Sequence, residues 1–134
     1  MRVTFDSNVY VSGLNYSGVP SRLLELAALE LFRLQLSPEI LDETVRILVD
    51  KFHWPNEDII EVRAVLNSIT DHVIPHVRLE VVERDPDDNR VLECSQSSGS
   101  DYLVTGDKDL LDLKHYAGAR IVTPAEFLAV LRAR

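Results

Sequence analysis

Short apolar runs with strand-like composition alternate along the chain with stretches that repeat apolar residues at helical spacing. The clearest runs of the first kind are Arg2 to Phe5, Phe32 to Leu36 and Asp101 to Thr105. Strands that alternate with helices are typical of crossover units, in which each helix packs back onto a parallel sheet. The sequence therefore predicts an α/β fold with three layers: a mostly parallel central sheet with helices on both faces.

Length and composition set the scale of this fold. The chain has 134 residues, of which 46% are apolar and 27% are charged, which predicts one domain over residues 1–134. No apolar run reaches the roughly 18 to 20 residues that span a bilayer, and the first ten residues lack the apolar core of a signal peptide. The single cysteine, Cys94, fits a reducing compartment. We expect a cytoplasmic protein outside any membrane.

Turn residues and helical periodicity place the remaining elements. A loop is expected over 12–20, which is rich in Gly, Ser and Asn. Ser37 before Pro38 predicts a helix start, and Thr123 with Glu126 matches a capping box. The expected helices begin near residues 21, 38, 57, 89, 110 and 124, and further extended segments are expected at 73–75, 79–82 and 120–122.

The charge balance limits how the chain can meet a polyanion. There are 22 acidic and 14 basic residues, which give a formal net charge of −8. A protein that binds nucleic acid through bulk charge alone should be basic, because that binding is driven by counterion release. Any nucleic-acid substrate must therefore be bound by local chemistry.

Several carboxylates fall where the strands of such a sheet end. Asp6 directly follows the first strand, and Asp107 follows the strand that ends at Thr105. Asp88 lies at the start of a predicted helix, and Glu43 lies about one turn into another. Because strand ends and helix starts meet at one edge of a parallel sheet, these groups are expected to converge. Their repulsion would be relieved by bound cations, and oxygen ligands favour magnesium or manganese.

Each carboxylate also has a purely structural interpretation. Asp88, with Asp87 beside it, is a candidate helix cap, and Asp107 and Asp109 could end a strand and cap a short helix. Asp6 is the hardest to explain in this way, since a carboxylate directly after an apolar strand is costly without a partner.

The helix after Ser37 leaves a choice between two acidic residues. Asp42 and Glu43 lie on opposite margins of its apolar face, so that periodicity favours neither. Either could also be a solvated carboxylate that the helix dipole stabilises. The residues alone therefore leave the contribution of this helix open.

Four segments, taken in order, resemble the four motifs of the PIN-domain nucleases. They are Phe5-Asp-Ser-Asn-Val9, Ser37-Pro-Glu-Ile-Leu-Asp-Glu43, Asp85-Pro-Asp-Asp-Asn-Arg-Val-Leu-Glu-Cys94 and Val104-Thr-Gly-Asp-Lys-Asp-Leu110. The resemblance covers nearly the whole chain. It is most similar to the bacterial and archaeal toxins of toxin–antitoxin pairs, the VapC-type ribonucleases. One departure is the helix after Asp88, which is usually alanine-rich in the family and here reads Val91-Leu-Glu-Cys-Ser-Gln.

The resemblance implies a site, a cofactor and partners. The implied metal ligands and catalytic residues are Asp6, Glu43, Asp88 and Asp107, with Asp109 as an auxiliary or alternative ligand and Ser7, Asn8 and Thr105 as supporting polar groups. The implied activity is metal-dependent endoribonuclease hydrolysis of RNA with one or two Mg²⁺ or Mn²⁺ ions. An antitoxin is an implied protein partner. Relatives are commonly dimers, and the apolar helix faces and the Trp54 region also favour a homodimer.

Two other classes of function compete with this hypothesis. The first is a PIN-like module that binds a partner protein and cleaves nothing, which the intact set of four carboxylates argues against. The second is a phosphotransfer domain, which would need a second acidic residue beside Asp6, where the chain has Ser7 and Asn8. His72 and His76 form no convincing metal pair, because Pro75 interrupts the helix that would align them.

Overall fold

The sheet has six strands, and seven helices connect and cover them in the computed structural model, which describes residues 1–134. The strands are β1 (Arg2–Phe5), β2 (Arg33–Leu36), β3 (Thr70–His72), β4 (Tyr102–Val104), β5 (His115–Tyr116) and β6 (Ala119–Val122). The helices are α1 (Ser7–Asn15), α2 (Val19–Ala28), α3 (Pro38–Asp50), α4 (Asn56–Ile69), α5 (Pro86–Ser98), α6 (Lys108–Leu111) and α7 (Pro124–Arg132). The predicted α/β class is confirmed.

The strand order creates one switch point at the centre of the sheet. The order is β3-β2-β1-β4-β6-β5, and every neighbouring pair is parallel except β5 with β6. From β1 the chain moves outward through β2 and β3, and it then returns to the other side of β1 with β4. The order thus reverses between β1 and β4, and the carboxyl ends of these two strands form the crevice where open α/β sheets bind ligands.

Both faces of the sheet are covered, as the side-chain alternation along β1 shows. Phe5 contacts the rings of Tyr10 and Phe32 on one face, while Thr4 turns to the other face and contacts Cys94 of α5. All of these side chains are buried. No helix of the structure is both long and apolar enough to cross a bilayer.

Helix α1 lies where the sequence predicts a loop and is the first correction. The expected loop over 12–20 holds the end of α1 and the beginning of α2, which starts at Val19 rather than near Ser21. Gly13 explains why the local signal misleads, because a Cβ there would lie 2.7 Å from Leu24 Cδ1 and 3.1 Å from the backbone of Pro20. Glycine is required by the close crossing of two helices and not by a turn.

The segment over residues 73–85 is the second correction. Extended segments were expected at 73–75 and 79–82, but the strand in this part of the chain is β3, which ends at His72, and residues 73–85 join no sheet. Asn89 accepts the N–H groups of Val81 and Val82 at 2.8 Å, and Glu93 accepts that of Leu79 at 2.7 Å. Side chains of α5 therefore replace the neighbouring strand that these backbone groups would otherwise need.

The remaining differences are small and local. Helix α5 starts at Pro86, three residues before the expected start, and α6 starts at Lys108. Strand β5 was not expected, and it pairs with β6 through a turn in which Ala117 and Gly118 both have positive φ. The predicted capping box of Thr123 and Glu126 is confirmed at the start of α7.

Candidate metal centre

Asp6 stands at the end of β1 and is held by hydrogen bonds on both carboxylate oxygens. Oδ1 accepts the N–H of Asn8 at 2.7 Å, which caps α1, and Oδ2 accepts the hydroxyl of Thr105 at 2.6 Å. Only 4% of the residue is exposed. Burial raises the pKa of Asp6, the bonds from Thr105 and Asn8 oppose that shift, and the charge of Asp107 adds to it.

Asp107 follows β4 and caps α6. Its Oδ1 accepts the N–H groups of Asp109 at 2.8 Å and Leu110 at 3.2 Å, so the capping interpretation of this residue is confirmed. Its own N–H donates to Thr105 Oγ1 at 2.9 Å. Thr105 thus ties the end of β1 to the end of β4 and sets the spacing between Asp6 and Asp107.

Asp85 and Asp88 enter from the start of α5. Asp85 is the N-cap, since its Oδ1 accepts the N–H of Asp87 at 3.0 Å. The expectation that Asp88 or Asp87 caps this helix is therefore wrong. Asp88 lies three residues later on the same side of the helix and is only 5% exposed. Its Oδ2 is buried and receives no hydrogen bond from the protein.

These carboxylates form one compact group of oxygen donors. One oxygen each from Asp85, Asp88 and Asp107 lies within 4.8 Å of the others. Burial, followed by the charges of Asp107 and Asp85, raises the pKa of Asp88 to about 8. Oxygen donors alone suit a magnesium-like cation, and the unsatisfied Asp88 Oδ2 is the atom that such an ion would satisfy. The residues present therefore fit a divalent metal.

Glu43 approaches the same place from α3. It is half-buried, whereas Asp42 is exposed. Burial raises the pKa of Glu43, and the nearby charges of Asp87 and Asp6 add to that effect. The buried Ser7 hydroxyl opposes it, although Ser7 Oγ has no well-formed hydrogen bond within the protein. Between the two candidates that periodicity left open, the structure turns Glu43 toward the carboxylates.

The structure thus brings most of the predicted residues together, and it adds one. Asp88 and Asp107 belong to the compact group, while Asp6 and Glu43 are close enough to influence its charges but lie outside it. Asp109 also lies outside, where Arg84 approaches its Oδ1 at 3.9 Å. Asp85 is the addition, and its signal was an aspartate directly before a proline at a helix start, one turn ahead of Asp88.

The other residues considered from the sequence lie elsewhere. The four histidines, His53, His72, His76 and His115, are exposed and belong to no metal-ligating group. Trp54 is half-buried, and its Nε1–H donates to Asn15 Oδ1 at 2.9 Å. Trp54 therefore ties the loop before α4 to the end of α1.

Comparison with known families agrees with this geometry. The family model described as PIN domain matches residues 2–109, so the chain belongs to the PIN-domain family. PIN domains are generally nucleases that use divalent metals, and the matched region contains all of the carboxylates described above. No curated protein matches the chain.

Proposed function

We propose that the protein is a metal-dependent endoribonuclease that hydrolyses the phosphodiester bonds of RNA. The observation that carries the proposal is Asp88, which has a buried and unsatisfied Oδ2 and which lies with Asp85 and Asp107 at the switch point of the sheet. A buried carboxyl oxygen without a hydrogen-bond partner is costly, so structural needs alone do not account for Asp88. Membership of the PIN-domain family also supports a nuclease function.

Asp85, Asp88 and Asp107 would hold the cation, with Asp6 and Glu43 beside them and Asp109 as an auxiliary. A bound Mg²⁺ or Mn²⁺ ion supplies Lewis-acid activation of water and neutralises charge on the phosphodiester. The protein's own contribution is to fix these oxygens. Asp107 Oδ1 accepts the N–H groups of Asp109 and Leu110, so its Oδ2 is the oxygen left for a ligand. The Thr105 hydroxyl donates to Asp6 and holds it in one orientation.

The biological setting belongs to the same proposal. RNA as substrate, a role as the toxin of a toxin–antitoxin pair and an antitoxin partner rest on the resemblance of the four acidic segments to VapC-type ribonucleases. A cytoplasmic location is part of the proposal and agrees with the unpaired, buried Cys94. A homodimer is supported by large apolar side chains that are exposed on the surface: Tyr16, Leu29, Ile60 and Ile74.

Cleavage of a fluorescent single-stranded RNA tests the proposed activity. With Mn²⁺ the purified protein should cut the RNA, and chelation should stop it. Asp6→Asn and Glu43→Gln should each lower the rate by roughly 10- to 100-fold, as the loss of residues that support a metal site does. Asp42→Asn is the matched control, since Asp42 adjoins Glu43 but is exposed, and it should keep the wild-type rate.

The same assay distinguishes the alternative of an inactive interaction module. Such a protein would show no cleavage that depends on both metal and the carboxylates. Equal rates for wild type, chelated wild type and Asp6→Asn would mean that a contaminant cuts the RNA, and the nuclease assignment would then fail.

A further inference from the structure

Two arginines stand at the mouth of the acidic site, and each is paired with a carboxylate outside the compact group. Arg46 Nη2 lies 3.3 Å from Asp87 Oδ2, and Arg84 Nη1 lies 3.9 Å from Asp109 Oδ1. Their side chains are 59% and 86% exposed. Both guanidinium groups are therefore in solvent and adjacent to residues of the site.

The topology places these arginines on opposite sides of the site. Arg46 lies on α3, which follows β2, and it stands three residues after Glu43. Arg84 directly precedes Asp85 and reaches α6, which follows β4. Strands β2 and β4 are the two neighbours of β1, so one arginine lies on the helix after one neighbour and the other pairs with the helix after the other neighbour.

The carboxylate partner of each arginine can be replaced by another anion at little cost in stability. Exposed ion pairs contribute little to stability, because water and salt screen them. Two oxygens of a phosphate, like those of a carboxylate, can accept two parallel N–H bonds from one guanidinium. Arg90 differs: it is 14% exposed, contacts the buried Glu93 at 3.1 Å and donates to the Leu79 carbonyl at 2.9 Å. Arg90 therefore stabilises the fold, whereas the exposed guanidinium groups of Arg46 and Arg84 can bind a ligand.

Because the chain has a net charge of −8, it needs local cations to bind a polyanion. At −8 the protein repels a polyanion at long range. Divalent ions at the carboxylates would compensate for the charge at the scissile phosphate, but not for the phosphates on either side of it. Cations placed on the two flanks are what those neighbouring phosphates require.

We propose that Arg46 and Arg84 bind the backbone phosphates on the two sides of the scissile bond, and that they leave Asp87 and Asp109 when the strand enters. The proposal rests on the nuclease function above and extends it by assigning the residues that position the strand. Asp87 and Asp109 then have a role in the empty protein, as the carboxylates that hold each guanidinium at the rim of the site.

Strand binding and chemistry can be measured separately. Binding is followed by the anisotropy of a fluorescein-labelled 12-nucleotide single-stranded RNA in Ca²⁺ at several salt concentrations. The Arg46→Gln/Arg84→Gln variant should bind more weakly, and the slope of log affinity against log salt should fall by about 1.4, or about 0.7 for each lost phosphate contact on a single strand. Arg22→Gln is the matched control, because Arg22 is a 54% exposed arginine paired with Glu25 within α2.

A minimal substrate provides the second measurement. The minimal substrate bis(4-nitrophenyl) phosphate has no flanking phosphates. Arg84→Gln, which removes no charge that acts on Glu43, should therefore retain the wild-type rate of its Mn²⁺-dependent hydrolysis within about twofold. With RNA, the same variant should show a raised KM. Its melting temperature should match that of Arg22→Gln, because both arginines are exposed.

Each result decides one of the two proposals. An unchanged salt slope and RNA affinity in the double variant would overturn the assignment of Arg46 and Arg84, whatever the cleavage assay shows. An equal loss of activity on RNA and on the minimal substrate would also overturn it, because the arginines would then act on the chemical step rather than on strand binding. Arginine-dependent RNA binding without cleavage of either substrate would support the strand-binding role and refute the nuclease function.

Discussion

Two acidic regions of the same sheet shift the pKa values of their carboxyl groups in opposite directions. At the β2–β3 edge, Asp71 accepts hydrogen bonds from Arg33 and Gln35, and these bonds lower its pKa. At the β1–β4 switch point, Asp88 is buried beside Asp85 and Asp107, and its pKa is raised to about 8. None of the ion pairs in the structure includes any of these last three residues.

The difference distinguishes a carboxylate that has its partners within the protein from a group of carboxylates that has no cationic partner there. The neighbours of Asp71 neutralise it, so the folded chain itself satisfies that carboxylate. At the switch point the sequence supplies donors to Asp6 and to one oxygen of Asp107, but no cation reaches the group. Without metal, a proton on Asp88 relieves the repulsion. A divalent ion bound by these carboxylates would replace that proton.

The largest expected effect is the response of stability to metal. Added Mn²⁺ should stabilise the wild type by roughly 2.7 kcal/mol at a concentration a hundredfold above its dissociation constant. Asp88→Asn should lose most of this gain, whereas Asp71→Asn should keep it, because Asp71 already has its partners. Melting curves of the three proteins with chelator and with Mn²⁺ measure the effect. An undiminished shift in Asp88→Asn would remove Asp88 from the site.

The metal-free protein should show a smaller effect of the opposite sign. The pKa of Asp88 rises from 3.8 in the unfolded chain to about 8 in the folded protein. Between these values the folded state holds a proton that the unfolded state has lost, so this group makes stability fall as pH rises. Asp88→Asn removes that penalty, because the amide that replaces the carboxyl group does not ionise. It should therefore be more stable than the wild type at pH 7 by at least about 1 kcal/mol.

Urea unfolding with chelator, repeated across the pH range, checks this prediction. The advantage of Asp88→Asn over the wild type should grow from acid to neutral pH and vanish near the pKa of the unfolded carboxyl. A constant difference at every pH would indicate that the substitution acts through packing rather than through charge.

Local signals account for the parts of the fold that sequence reasoning predicted. The start of α3 at Ser37 and Pro38 and the capping box of α7 depend on residues within one turn of each other, so short-range patterns reveal them. Helix α1 was missed because its glycine serves a contact with α2. The 73–85 segment was misread because its hydrogen-bond partners, Asn89 and Glu93, lie on a later helix.

The residues of the site also divide into those that the sequence could place and those that depend on tertiary packing. Asp6 and Asp107 could be placed from sequence because each follows a strand directly, and strand ends share one edge of the sheet. Asp85 was not singled out as a site residue, since an aspartate before a proline looks the same whether or not it faces a ligand. The unsatisfied oxygen of Asp88 and the rim position of Arg84 depend on tertiary packing, which no spacing encodes.

The smallest expected effect belongs to the compensated region. Asp71→Asn removes the ion pair with Arg33 but keeps an acceptor for the buried Gln35, whose Nε2–H donates to Asp71 Oδ2 at 2.8 Å. Because the pair is largely in solvent, the melting temperature at pH 7 and low salt should fall by only about 1 to 3 °C. A lowered pKa contributes stability that is present above the unfolded pKa and lost as pH falls. The variant and the wild type should therefore converge at acid pH and also at high salt, where screening weakens the pair. A loss that persists in 1 M salt would mean that Asp71 acts through the buried amide of Gln35, and the contrast with Asp88 would then be one of hydrogen bonding rather than of charge.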